Sequence, residues 1–135
     1  MSAPTPTRFE LPIRVGESDL DEVGHVNNVV YVQWVQDAAA GHWRHAATAE
    51  QLEGIVWVAV RHEIDYEAPS FAGDELVART WVEAWSGATS ERHTEIERVS
   101  DGVLLARART IWCAVDPASG RPMRVRPEVK DRFSA

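Results

Sequence analysis

The pattern of hydrophobic and polar residues predicts one strand followed by one long helix. Between Arg8 and Gly16 every second residue is hydrophobic, which is the two-residue period of a half-buried strand. From about Asn28 to Ala47 apolar residues instead recur at steps of three and four. That spacing places them on one face of an amphipathic helix.

Four further strands are predicted after the helix. Segments rich in valine and aromatic residues, or strictly alternating, are separated by Gly, Pro, Ser and Asp residues typical of turns. One helix can cover only one face of the five-stranded antiparallel sheet that this order favours, so the fold class is α+β and oligomerisation is expected. The predicted strands are Ile55–Glu67, Glu75–Trp85, Thr89–Val99 and Leu104–Val115.

Length and composition predict a single domain at residues 8–135, preceded by a flexible N-terminus at residues 1–7. The net charge of −7 and the scattered basic residues argue against a nucleic-acid partner. Cys113 is the only cysteine, so an intramolecular disulfide is impossible. No apolar stretch approaches the roughly 20 residues that span a bilayer, and we expect a cytoplasmic protein without a membrane partner.

The candidate chemistry is concentrated just before the predicted helix. Asp21 precedes the helix by one short loop, and Asn27 or Asn28 is suited to cap its first turn. The start of a helix offers unpaired backbone N–H groups and a positive dipole end, which can stabilise an oxyanion. Asp21 beside such a helix start can act as a general base or as a nucleophile.

The segment Asp19–Tyr31, which reads DLDEVGHVNNVVY, resembles the active-site segment of the 4-hydroxybenzoyl-CoA thioesterase family of hotdog-fold proteins. Residues 65–76 and 114–122 are similar to that family's strand-turn-strand and closing segments. The HVNN..Y version looks most like the branch of long-chain acyl-CoA and acyl-carrier-protein thioesterases. The resemblance implies a hotdog fold, in which one long helix is wrapped by a five-stranded antiparallel sheet.

The resemblance also implies an activity and an assembly. The expected reaction is hydrolysis of an acyl thioester to a free acid and a thiol, without cofactor or metal. The substrate would be an acyl-CoA or an acyl-carrier-protein thioester. The expected assembly is a homodimer or homotetramer, with active sites at the dimer interface.

The resemblance assigns roles to individual residues of this chain. Asp21 corresponds to the catalytic carboxylate, and the backbone N–H groups near Asn28 would hold the oxyanion. His25 would donate a hydrogen bond, shuttle a proton or shape the loop. Arg92, together with Arg61 and Arg124, is a candidate for contact with CoA phosphate. The residues expected to bind substrate are Gly24, Asn27, Tyr31, Trp57, Ser90 and Arg92.

Other functions remain as alternatives. A non-catalytic acyl-binding module has the same fold, and a hydratase would pair Asp21 with His25. A metal site could draw on the four histidines of the helix and strands, but no carboxylate or third histidine is placed beside the helical pair. A serine triad is disfavoured because no Gly-x-Ser-x-Gly elbow occurs. These four histidines are His42, His45, His62 and His93.

Overall fold

The computed structural model describes residues 5–134, which form one antiparallel sheet with one long helix across it. The elements are β1 (Phe9–Arg14), α1 (Asn28–Ala46), β2 (Val56–Tyr66), β3 (Glu75–Ser86), β4 (Thr89–Arg98) and β5 (Leu104–Val115). The strand order is β1-β3-β4-β5-β2, so β1 and β2 are the two edges. The predicted α+β hotdog architecture is confirmed, with element bounds that agree with the predicted ones to within two residues.

Two short helices were missed by the sequence pattern because each is too short to show a period. Helix α2 (Ala49–Gly54) begins with a capping box, in which Thr48 Oγ1 accepts from Gln51 N–H and Gln51 Oε1 accepts from Thr48 N–H. Helix α3 is Pro127–Lys130. No helix among residues 5–134 is long and apolar enough to cross a membrane.

The C-terminal segment is tied to the start of the chain. Thr7 N–H donates to Phe133 O at 2.9 Å, and Pro6 forms an isolated β-bridge with Ser134. The end of the predicted flexible segment is therefore hydrogen bonded, and the first four residues of that segment lie outside the described range. Phe133 is buried and closes one end of the core.

Helix α1 lies on the inner face of the sheet, where the core has two apolar parts. The larger part surrounds the first half of α1, with Val35, Ile96 and Leu105 completely buried. The smaller part lies beneath the end of α1 and includes Val82 and Phe133. Buried polar residues also lie between α1 and the inner face of the sheet. They are Thr80, Arg92, Thr94 and Thr110 on the strands and His42 on the helix.

The outer face of the sheet is largely charged. Arg79 pairs with Glu97 and Arg109 pairs with Glu91, each at 2.7 Å. Trp81 is covered within the chain by the Arg8 guanidinium, 4.0 Å from the centre of one of its rings. The outer face is therefore polar enough to face water.

The two sheet edges differ in how open they are to another strand. Edge strand β1 has six residues and contains Pro12, which lacks an N–H for pairing. Edge strand β2 has eleven residues and no proline. Its outward valines, Val56, Val58 and Val60, are 47%, 45% and 59% exposed. A long edge strand without proline, apolar in its first half, is open to strand pairing.

Candidate active site

The loop before α1 is closed by its own backbone hydrogen bonds. Asp21 N–H donates to His25 O at 2.7 Å, and Asn27 N–H donates to Asp19 O at 2.9 Å. Gly24, between them, has a φ of 82°, which L side chains rarely adopt. A Cβ at Gly24 would meet nothing within 4 Å, so the glycine serves the bend and not a close packing contact inside this chain.

The Asp21 carboxylate is held by one of its two oxygens. Its Oδ1 accepts from Val23 N–H at 3.0 Å and from His25 N–H at 3.1 Å. Its Oδ2 has no hydrogen-bond partner among residues 5–134, and the residue is exposed. The loop therefore fixes the orientation of the carboxylate and leaves one oxygen available to a substrate or a water molecule.

The start of α1 carries an unpaired backbone donor. Asn27 is the N-cap, and its side-chain oxygen accepts from Val29 N–H at 3.1 Å. The backbone N–H of Asn28 has no acceptor within the described part of the chain. Tyr66 O–H donates to Asn28 O at 3.1 Å and so joins strand β2 to the helix start. An unpaired N–H at the positive end of a helix is suited to an oxyanion.

Ser70 anchors the loop to the segment between β2 and β3. Its carbonyl accepts from Val26 N–H at 3.0 Å, and its Oγ is 2.5 Å from the Tyr31 hydroxyl. Both Ser70 and Tyr31 are buried, and burial raises the pKa of Tyr31. Tyr31 is thus a neutral packing residue under the loop. The His25 ring packs edge-on against Phe71, with centroids 5.2 Å apart.

One cavity of ≈ 260 Å³ brings these residues together. Asp21, His25, Asn28 and Tyr31 all line it. Gly24 and Asn27 shape the loop and the helix start. Tyr66, a further wall of this cavity, was not predicted from the sequence, since only its hydrogen bond to Asn28 O marks it.

The other three predicted substrate-binding residues lie elsewhere. Trp57, Ser90 and Arg92 line a separate cavity of ≈ 290 Å³, next to Ala39 and other residues of the second half of α1. Arg92, a candidate from the sequence for contact with CoA phosphate, is buried and only 5% exposed. The sequence places Arg92 on a strand without showing which face it occupies.

Two of the four histidines, His42 and His62, contact hydrogen-bonding side chains of the sheet. His42 accepts from Arg92, and burial together with the Arg92 charge lowers the pKa of His42 to about 3. His62 Nδ1 lies 3.0 Å from Thr110 Oγ1. Among residues 5–134 no group of three or more His, Cys, Asp and Glu side chains is arranged to hold a metal ion.

Comparison with known proteins places this geometry in a family. The thioesterase-like superfamily matches residues 15–133, and the chain belongs to that superfamily. A relative, the acyl-CoA thioester hydrolase YbgC of Escherichia coli O6:H1, is 27% identical over 130 residues. The match covers 94% of this chain and 96% of the relative.

Solved structures of thioesterases share the fold. A mutant 4-hydroxybenzoyl-CoA thioesterase complexed with 4-hydroxybenzoyl-CoA aligns with a TM-score of 0.86 at 18% identity, covering 94% of this chain and 99% of that one. A thioesterase from Thermus thermophilus, complexed with coenzyme A and Zn, aligns with a TM-score of 0.81 at 21% identity. Coverage there is 92% and 90% of the two chains.

Replacing Gly24 by alanine tests whether the loop depends on its left-handed backbone. A non-glycine residue there costs about 1–2 kcal/mol, so we expect amide exchange at Val23 and His25 to accelerate by about tenfold. Hydrogen exchange followed by NMR gives the exchange rates of these two amides. Gly120→Ala is the matched control, because Gly120 also has a positive φ, 71°, and lies in the turn after β5, at the end of β5 that pairs with Val56 and not with Tyr66. Unchanged exchange at Val23 and His25 in Gly24→Ala would refute the dependence.

Proposed function

We propose that this protein hydrolyses acyl thioesters of coenzyme A, with Asp21 as the catalytic carboxylate. The observation that carries the proposal is that Asp21, with a free Oδ2, and Asn28, with a free backbone N–H, line the same cavity. The superfamily and the curated relative support this reaction class.

The proposed chemistry uses a donor and a base on the two sides of the thioester carbonyl. The Asn28 N–H polarises the carbonyl oxygen and stabilises the negative charge that develops on it. Asp21 Oδ2 accepts a proton from a water molecule, whose oxygen attacks the carbonyl carbon. The C–S bond then breaks, and the proton is passed on to the leaving thiolate, which yields a carboxylic acid and a thiol.

A second route uses the same two groups. Asp21 Oδ2 attacks the carbonyl carbon directly, the thiolate leaves, and the resulting mixed anhydride is opened by water. Incorporation of ¹⁸O from labelled water into Asp21 during a single turnover would demonstrate this route, with water opening the anhydride at the Asp21 carboxyl carbon. His25 is positioned to contact the substrate from the cavity wall, but its ring has no hydrogen bond to Asp21 in the described residues.

We further propose that two chains pair through their β2 edges into a homodimer with a continuous sheet. The open length of β2 and the exposure of its valines support this edge over β1, which Pro12 interrupts. In a two-fold antiparallel pairing centred near Arg61, the Tyr66 end of one β2 lies opposite the Val56 end of its partner. Because Tyr66 contacts the start of α1, each Asp21 cavity then lies beside the partner subunit.

Replacing Asp21 by asparagine removes the proposed base and keeps its shape. We expect the rate of thiol release from acyl-CoA to fall by about 10²–10⁴-fold, the usual contribution of such a group. Glu22→Gln is the control, because it removes the same charge from the adjacent exposed residue. Full activity in Asp21→Asn, measured with a panel of acyl-CoAs, would refute the assignment.

The double substitution Val58→Lys and Val60→Lys tests the proposed dimer. Each lysine occurs twice near the two-fold axis, so we expect the dimer dissociation constant to rise by at least about tenfold. Analytical ultracentrifugation gives the assembly state, and thiol release should fall in parallel with the dimer. Val99→Lys is the control, since Val99 is 57% exposed in a turn away from this edge. A wild-type protein that is monomeric and fully active would contradict the dimer.

A further inference from the structure

The second cavity, here called the Arg92 cavity, is enclosed by aromatic side chains. It lies beside the second half of α1, and its volume of ≈ 290 Å³ is about twice that of an engineered cavity known to hold benzene. Trp57, Trp112 and Phe133 form much of its wall. Arg92 and Ser90 are among its few polar side chains. A ligand that fills this space is a carbon chain or ring with a small polar group.

Arg92 brings a positive charge into this cavity without a carboxylate to balance it. Among residues 5–134 no Asp or Glu oxygen lies within 4.0 Å of its guanidinium, although buried charges in proteins are usually paired. Its Nη1 donates to His42 Nδ1 at 2.9 Å and to Thr80 Oγ1 at 3.1 Å. Burial lowers the pKa of Arg92 to about 9, so the side chain remains charged at neutral pH.

These two contacts leave Arg92 able to bind something more. A guanidinium has five N–H groups, and the two on Nη1 account for both hydrogen bonds. The N–H groups on Nε and Nη2 have no acceptor within the described part of the chain. His42 and Thr80 are neutral, so they hold the guanidinium in place without cancelling its charge.

The polar groups that a ligand in this cavity can reach belong to Arg92 and Ser90. The indole Nε1 atoms of Trp57 and Trp112 have no hydrogen-bond partner among residues 5–134, but they are fully buried and do not face the open space of the cavity. Arg92 can only donate, whereas Ser90 can donate or accept. An anionic group rich in acceptors is complementary to this pair.

We propose that the Arg92 cavity binds a carboxylate at the far end of the acyl group, so that the substrate class is the monothioester of a dicarboxylic acid with CoA. This inference rests on the proposed function. A carboxylate matches the planar guanidinium fork through two parallel hydrogen bonds, and the aromatic wall suits the carbon chain or ring that carries it. The charge at the end of the acyl group away from the thioester therefore determines which acyl-CoA substrates are preferred.

The position of the cavity fits an acyl group that crosses the dimer interface. Ala39 lies roughly 16 Å along α1 from Asn28, so the cavity is far from Asp21 of its own chain. Val56 and Trp57, at the start of β2, line the cavity, whereas Tyr66, at the end of β2, lines the Asp21 site. The antiparallel pairing of two β2 strands brings these two ends together. The thioester would lie at Asp21 of one subunit and the carboxylate in the Arg92 cavity of its partner.

Paired substrates test the specificity. Suberoyl-CoA is compared with nonanoyl-CoA, and para-carboxybenzoyl-CoA with para-methylbenzoyl-CoA, by the rate of thiol release. We expect kcat/KM to be about 10- to 100-fold higher for at least one carboxylate-bearing member, the usual strength of a charge-assisted hydrogen bond. Equal or higher kcat/KM for both neutral members would overturn the proposal while leaving thioester hydrolysis intact.

The Arg92→Met variant should remove this preference selectively. We expect its kcat/KM to fall by about 10- to 100-fold for the carboxylate substrate and by less than about threefold for the neutral one. Ser90→Ala, which removes the other polar side chain of the cavity, should shift the preference in the same direction by a smaller factor. Arg107→Met, on an exposed arginine, is the control. Equal losses on both substrates in a folded Arg92→Met would contradict a role in recognition.

A binding measurement separates this inference from the proposed reaction. Suberate added to the wild-type protein should change the tryptophan fluorescence in a saturable way, and should do so equally in Asp21→Asn but not in Arg92→Met. If this binding occurs in a protein that hydrolyses no thioester, the cavity assignment stands and the reaction fails. Inorganic phosphate is the second probe: binding of phosphate at Arg92 in preference to suberate would assign the site to a phosphate of CoA and overturn the proposal.

Discussion

The docking of α1 on the inner face of the sheet determines where both cavities lie. Val35 and Ala38 of α1 are completely buried. Their packing fixes the position of the helix against β3 and β4. Ser70 then anchors the preceding loop through Val26 and Tyr31. The helix start is consequently held beside Asp21, while the second half of the same helix forms a wall of the Arg92 cavity.

The space between α1 and the sheet holds an apolar core and several buried polar side chains, whose burial has a free-energy cost. Removing a cation from water is unfavourable, and neutral partners such as His42 and Thr80 compensate for it only partly. A hydrophobic residue at Arg92 would fill the space at lower cost, so stability alone does not account for this arginine. A ligand that supplies the missing negative charge accounts for this arginine.

The sequence was sufficient to predict where the strands, α1 and the Asp21 loop lie along the chain, because each depends on local periodicity or on a contiguous motif. It was insufficient to predict which face of β4 is buried. In the structure Ser90, Arg92 and Thr94 face the helix, and Glu91 and His93 face outward. Both faces of that strand are polar, so alternation shows two faces without showing which is buried. The division of the predicted site into two cavities depends on long-range packing, which a single sequence does not display.

If one active site uses Asp21 of one subunit and the Arg92 cavity of the other, two defective variants should restore activity when their subunits are mixed. Asp21→Asn and Arg92→Met proteins are mixed, allowed to exchange subunits and assayed with a carboxylate-bearing acyl-CoA. In a mixed dimer one site then carries both defects and the other carries none. We predict recovery of about one quarter of wild-type activity at equal mixing, because half of the dimers are mixed and each has one intact site. Activity that stays at the average of the two separate variants, although subunit exchange is complete, would contradict the shared site.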